Sequence, residues 1–175
     1  MVESAEPARV VVFRHGPAET RDPARWPDDG LRPLSRKGAE QTRRTVRGLV
    51  GQLGPVTRLA SSSAVRAHST AEILGRVLEP PRRPQLWPEL DIGSPATALL
   101  PRLRSELGVG KTVVLVGHDP TLSEFVGLAL AGESIEFARL TKAGAACLEF
   151  PRSVRPGSGR LLWLLTRKQL AGAGD

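Results

Sequence analysis

The chain has 175 residues, 40% of them hydrophobic and few aromatic, which predicts one domain over residues 1–175 with an aliphatic core. Its net charge of +7 raises the question of nucleic acid, but the arginines are spread out. They are not interleaved with Phe13, Phe125, Phe137, Phe150 or the tryptophans as a stacking platform requires, so no nucleic-acid partner is expected. A single cysteine excludes an internal disulfide and a zinc cluster, no stretch is long enough for a membrane span, and acidic Glu3 and Glu6 argue against a secretory leader. The expected setting is the cytoplasm, with no metal and no membrane contact.

Val10-Val11-Val12-Phe13 reads as a buried strand, handing over to a loop at Arg14-His15-Gly16. Residues 17–34 carry Pro17, Pro23, Pro27 and Pro33 and form a loop. Ser35 can cap a helix bearing Ala39, Thr42, Val46, Leu49, Val50 and Leu53 at helical spacing, ended by Gly54-Pro55. A strand from Thr57 to Ala60 leads into Ser61-Ser62-Ser63. Ala67, Ala71, Leu74, Val77 and Leu78 then mark a helix stopped by Pro80-Pro81. Residues 82–95 are a proline-rich loop with a brief strand near Leu86-Trp87. Ser94 caps and Pro95 opens a helix toward Leu107, broken by Gly108-Val109-Gly110. A strand over 112–116 ends in Gly117-His118, and Pro120 opens a helix through Leu130, closed by Gly132. Ile135 to Leu140, Gly144 to Phe150 and Arg160 to Thr166 read as strands, the last two antiparallel. The tail from Ala171 is expected to be mobile. Cys147, within Ala145-Ala146-Cys147-Leu148, is expected as a small buried side chain. This alternation predicts an α/β fold with a mostly parallel sheet covered on both faces.

The chemistry concentrates at strand ends. Open α/β sheets bind ligands at the carboxyl edge of their strands, where both His15 and His118 fall. A neutral His15 could attack phosphorus and carry the phosphoryl group, with Arg14 gripping phosphate oxygens bidentately beside it. His118, if protonated, adds a donor at the developing charge. Arg66 falls in the first turn of the helix after Ser61-Ser62-Ser63, on the same edge. A cation there is slightly unfavourable unless an anion compensates it, which fits a phosphate ligand. The plainer alternative is that the two histidines only cap strand ends and that Arg66 is solvated.

Arg14-His15-Gly16, Arg32-Pro33-Leu34-Ser35-Arg36-Lys37-Gly38, Ser61 through Ala67 with Thr70-Ala71, and Gly117-His118-Asp119-Pro120-Thr121-Leu122 resemble, in order, the histidine phosphatase superfamily with the phosphoglycerate-mutase-like fold. The short chain and the wording of the blocks are most similar to small phosphohistidine phosphatases of the SixA type. The resemblance implies a three-layer α/β/α sandwich, a phosphoryl acceptor at His15, a phosphate pocket of Arg14, Arg66 and His118, and no cofactor. It implies a carboxylate general acid whose nearest match is Glu89, with Glu19 and Asp22 as fallbacks; Glu89 as a surface loop carboxylate is the alternative. Pro17 after Gly16 departs from the commonest wording of the small members.

A general acid contributes roughly 10²–10⁴-fold where an alkoxide must leave. An imidazole leaves far more easily, so a weak acid is tolerable for phosphohistidine. The stretch between the Arg66 helix and Gly117-His118 is too short for an inserted helical lid, which leaves the pocket open to a phosphorylated protein or a small phosphorylated metabolite. The expected activity is therefore a phosphatase, first on phosphohistidine of a signalling or phosphotransfer protein. The alternatives are a small-molecule phosphomonoesterase on a sugar phosphate or nucleotide, and a phospho-protein binding module without turnover. A mutase, which must exclude water, is disfavoured.

Overall fold

In a computed structural model, which describes residues 6–136 and 138–174, the apolar run at the start of the chain becomes β1 (Ala8–Arg14). Glu3 and Phe137, used above, lie outside the described residues. β1 sits inside a six-stranded sheet of order β3-β2-β4-β1-β5-β6, with β2 over Val56–Ser61, β3 over Gln85–Leu86 and β4 over Thr112–Gly117. These four run parallel, whereas β5 (Ala145–Phe150) pairs antiparallel with β1, and β6 (Arg160–Leu165) pairs antiparallel with β5 and so runs with the other four.

Side chains alternate across the strands and so divide the core in two. Val10, Val12, Val113 and Leu115 pack on one face against α3 (Leu99–Glu106) and α4 (Thr121–Ala131). Val11, Phe13, Val114 and Val116 pack on the other against α1 (Arg36–Val50), α2 (Val65–Leu78) and α5 (Arg167–Gly172). Each such side chain, wholly buried, contributes roughly 1.5–3 kcal/mol. Burial on both faces explains why β1 and β4 read as unbroken apolar runs. The result is the three-layer α/β/α sandwich, with Cys147 buried in it and its thiol pushed up to about 11 by that burial. Among the described residues no helix is long and apolar enough to cross a membrane.

Several local expectations need correction. α1 is capped by the Ser35 hydroxyl, which accepts from Gly38 N at 2.9 Å, but it stops at Val50 rather than at Gly54-Pro55. Ser94 does not cap a helix. Its hydroxyl donates back to Pro88 O, and a short 3-10 turn (Ala96–Ala98) intervenes before α3. No strand forms over the described residues of 135–140, because their backbone groups are used otherwise. Leu140 N donates to Ser123 Oγ, Leu140 O accepts from Arg14, and the Ile135 carbonyl fills the space that a Cβ on Gly127 would occupy. The tail is ordered through α5: a Thr166–Gln169 capping box starts it, and Leu170 is buried against α1 at Gly48, where any Cβ would strike Leu170 O.

Candidate active site

The parallel register of β1 and β4 pairs Arg14 with Gly117, so the next residue on each strand, His15 and His118, emerges side by side. His15 N donates to Gly117 O at 3.0 Å, and the two imidazole rings lie 5.0 Å apart between centroids. β2 adds Ser62, whose N donates to Val116 O. Three neighbouring parallel strands thus present His15, Ser62 and His118 at one edge.

His15 is buried, and its Nδ1 lies 2.7 Å from Gly16 O. A carbonyl only accepts, so Nδ1 carries the proton and Nε2 keeps its lone pair. Burial, with repulsion from His118, Arg66 and Arg14, lowers the His15 pKa to about 3 despite the favourable Gly16 contact. The imidazole is therefore neutral. Gly16 is confined here: a Cβ would collide with Thr42 Oγ1, and its N donates to Thr70 Oγ1 at 3.0 Å, tying the motif to α2.

His118 is neutral as well, its pKa lowered to about 4 by burial and then by Arg66. The Ser62 hydroxyl spends its only proton on Asp91 Oδ1 at 3.1 Å, so at 2.9 Å it must accept from His118 Nε2–H. Asp91 Oδ1 also accepts from Ser63 N and Ser63 Oγ, which holds the carboxylate in place. The chain Asp91–Ser62–His118 fixes the tautomer of the second histidine.

Arg66 reaches this cluster from the first turn of α2. Its Nε donates to His15 Nε2 at 3.3 Å, while Nη1 and Nη2 donate to Asp29 O and Oδ2 at 2.6 and 2.8 Å. Burial lowers the Arg66 pKa, and the hydrogen bond from Arg32, followed by Arg66, lowers that of Asp29. The anion that compensates Arg66 at the helix start is thus an internal carboxylate, so that placement does not by itself require phosphate. Arg14 Nη1 donates to Leu140 O at 2.6 Å and lies 2.9 Å from Asp119 Oδ2, a charge contact outside hydrogen-bond angles. Its buried Nε–H has no acceptor among the described residues, which leaves a donor for an arriving anion.

His15, Arg14, Arg66 and His118 are therefore brought together; Glu89 is not joined to them. It sits in the turn Pro88–Leu90 with Oε2 buried and unpartnered, and no hydrogen bond or ion pair links it to the other four among the described residues. The carboxylate that reaches the cluster from this stretch is Asp91. Asp22 is spent on an exposed turn, accepting from Ala24 N. Sequence reasoning missed Asp29, Asp91 and Asp119, whose roles depend on loop geometry. The one local signal was the Asp29–Arg32 spacing, which forms an i,i+3 ion pair. A cavity of about 320 Å³ opens beside the cluster between Asp28, Leu31, Ser62, Val65, Asp91 and Ile92. None of the four directly lines this cavity, which meets the cluster through Ser62 and Asp91, and none lines the larger cavity at Glu72–Pro84, about 420 Å³.

A buried neutral imidazole ringed by cations at the carboxyl edge of a parallel sheet is the apparatus of phosphoryl transfer, and the fold and site define a histidine-nucleophile phosphatase. The model of the histidine phosphatase superfamily (branch 1) matches residues 10–94, and the chain belongs to that superfamily and is similar to its SixA-type members. It is 28% identical over 162 residues to the phosphohistidine phosphatase SixA of Escherichia coli, covering 90% of this chain and 93% of that protein. It is 37% identical over 134 residues to an uncharacterized protein of Picosynechococcus sp., covering 75% and 79%. Among solved structures, the protein histidine phosphatase SixA complexed with tungstate superposes with a TM-score of 0.77 at 27% identity, over 93% of this chain and 99% of that one.

Proposed function

We propose that the enzyme hydrolyses its substrate through a phosphoryl group carried on His15, and that the substrate is phosphohistidine on a signalling or phosphotransfer protein. The observation that carries this reading is the state of His15: neutral, with Nδ1–H held by Gly16 O and the Nε2 lone pair turned toward Arg66. As a phosphoryl group enters, one of its oxygens takes over the Arg66 Nε–H, which frees that lone pair. Nε2 then attacks phosphorus in line, and the bond to the leaving atom breaks with its electron pair going to the leaving group. Arg14, Arg66 and His118 hold the equatorial oxygens. Water next attacks phosphorus, Nε2 departs, and inorganic phosphate is released. The bound dianion favours protonation of His118, turning its ring into a second cation only when substrate is present.

Three considerations favour a phosphohistidine substrate. The similarity to SixA is to a protein named for that activity, and tungstate in the related structure is a tetrahedral oxyanion like phosphate. Between α2 and β4 lie only β3, two short turns and α3, leaving no inserted lid over the pocket. Glu89 is not tied to the cluster, which costs little when the leaving group is an imidazole. A protein substrate of this kind would be met in the cytoplasm, where we place the enzyme. The test is a competition between a phosphohistidine protein and a panel of sugar and nucleotide phosphates, with His15→Ala as control. Preference for the protein supports the reading; preference for a metabolite replaces it with a phosphomonoesterase, and turnover by His15→Ala removes the covalent route.

A further inference from the structure

A second cluster of cations stands next to the pocket and plays no part in the chemistry above. Lys142, Arg167 and Lys168, with the hydroxyls of Thr141 and Thr166, line a cleft of about 400 Å³. One side of the cleft is tied to the catalytic loop through the backbone: Ala143 N donates to both Arg14 O and His15 O, so Lys142 is one peptide unit from that contact. Ala143 is held at φ 57, in the left-handed region disfavoured for a residue with a Cβ, which keeps the Thr141–Gly144 turn tight against the loop. The cleft is also fixed from the other side. Arg167 N donates to Thr141 Oγ1, and Arg167 Nη1 donates to Gln41 Oε1 at 2.9 Å.

The charge balance points to a ligand. Asp29 pairs with both Arg32 and Arg66, and Asp119 pairs with Arg14. Lys142, Arg167 and Lys168 make no ion pair among the described residues. Partial burial, then repulsion from Arg14, Arg32, Arg66 and Arg167, holds the Lys142 ammonium below its ordinary pKa. Three neighbouring cations without a counter-charge, in a concave site beside the reacting centre, are suited to an anion borne by the substrate.

Resting on the phosphohistidine reading above, we propose that the Lys142–Arg167–Lys168 cleft is a substrate subsite for a carboxylate side chain flanking the phosphohistidine of the protein substrate. It selects acidic-flanked phosphohistidines, adds to association rate, and weakens as salt rises. A second phosphate on a metabolite offers the same charge, and the test separates the two sources.

The probes are synthetic phosphohistidine peptides with two glutamates before, two after, or glutamines or lysines on both sides of the phosphorylated residue, together with a hexose bisphosphate and its monophosphate. With wild-type protein, one of the glutamate peptides should exceed the glutamine peptide in kcat/KM by roughly three- to tenfold, as expected of a pair of exposed charge contacts. The preference should lie in KM and disappear in Lys142→Gln/Lys168→Gln. In Lys142→Glu/Lys168→Glu it should reverse toward a lysine-flanked peptide. Equal kcat/KM for all peptides, or a preference that survives both variants, overturns the subsite. A cluster-dependent preference confined to the bisphosphate overturns the carboxylate assignment. If wild-type protein hydrolyses none of the phosphopeptides, the phosphohistidine reading fails, and the subsite is then judged separately by titrating the unphosphorylated glutamate peptide. Salt-sensitive amide shifts at Thr141, Lys142 and Lys168 support it, and their absence overturns it.

Discussion

Lowering the pH from 7 to 5 should leave His15 and His118 neutral in the folded protein while protonating both in the unfolded chain. Burial brings their folded pKa values to about 3 and about 4, against 6.5 for a free imidazole. Below 6.5 the unfolded state therefore binds protons that the folded state refuses, and stability falls with pH in that window. From 6.5 down to 5 each imidazole costs about 2 kcal/mol, so the pair removes about 4 kcal/mol of unfolding free energy. That is a large part of the roughly 5–15 kcal/mol a domain holds. Asp29 adds nothing here, because its pKa is lowered from 3.8 and its stabilisation is lost only at more acidic pH. Urea unfolding at the two pH values, on wild-type, His15→Gln and His118→Gln, reads the effect. Each variant should lose about 2 kcal/mol less than wild-type over the same interval. Equal acid destabilisation in all three proteins would mean that the imidazoles titrate freely in the fold, and the neutral nucleophile would be lost with them.

Arg66→Ala removes a buried charge-assisted donor and leaves Asp29 paired with Arg32 alone, so vanadate affinity by competition should fall roughly 10- to 100-fold. Unchanged affinity would take Arg66 out of the site. Ser62→Ala leaves His118 Nε2–H without its acceptor; turnover of an aryl phosphate should fall several-fold with stability reduced by about 1–3 kcal/mol, and an unaffected rate would show that the Asp91–Ser62 pair does not hold the ring. Glu89→Gln should change alkyl phosphate and phosphohistidine hydrolysis little and alike, because Glu89 is not joined to the cluster, whereas a loss confined to the alkyl phosphate would restore Glu89 as the general acid.

The parts of the fold visible in the sequence were those set by local chemistry. β1 and β4 are buried on both faces, so their β-branched runs and the loop residues after them stood out. The Ser35 cap and the Gly132 stop, at φ 85, follow from single side chains. The stretch 135–140 misled because Ile135 and Leu140 serve side-chain and backbone contacts with α4 and Arg14 in place of a ladder. α5 escaped notice because it is only six residues long, although the Thr166–Gln169 capping pair was there to be read. At the site, the strand-end histidines and Arg66 were visible because motif and strand end coincide. Asp29, Asp91 and Asp119 were not, since each carboxylate meets its arginine or serine through the path of a loop, and residue spacing carries no record of that path.

Mapping the phosphoryl group on the quenched enzyme tests the central claim most directly. Rapid acid-free quenching during turnover of a ³²P-labelled substrate, followed by peptide mapping, should place the label on His15 through an alkali-stable, acid-labile bond and nowhere in His15→Ala. A label found on another residue, or steady turnover with no covalent label at any time, would contradict it.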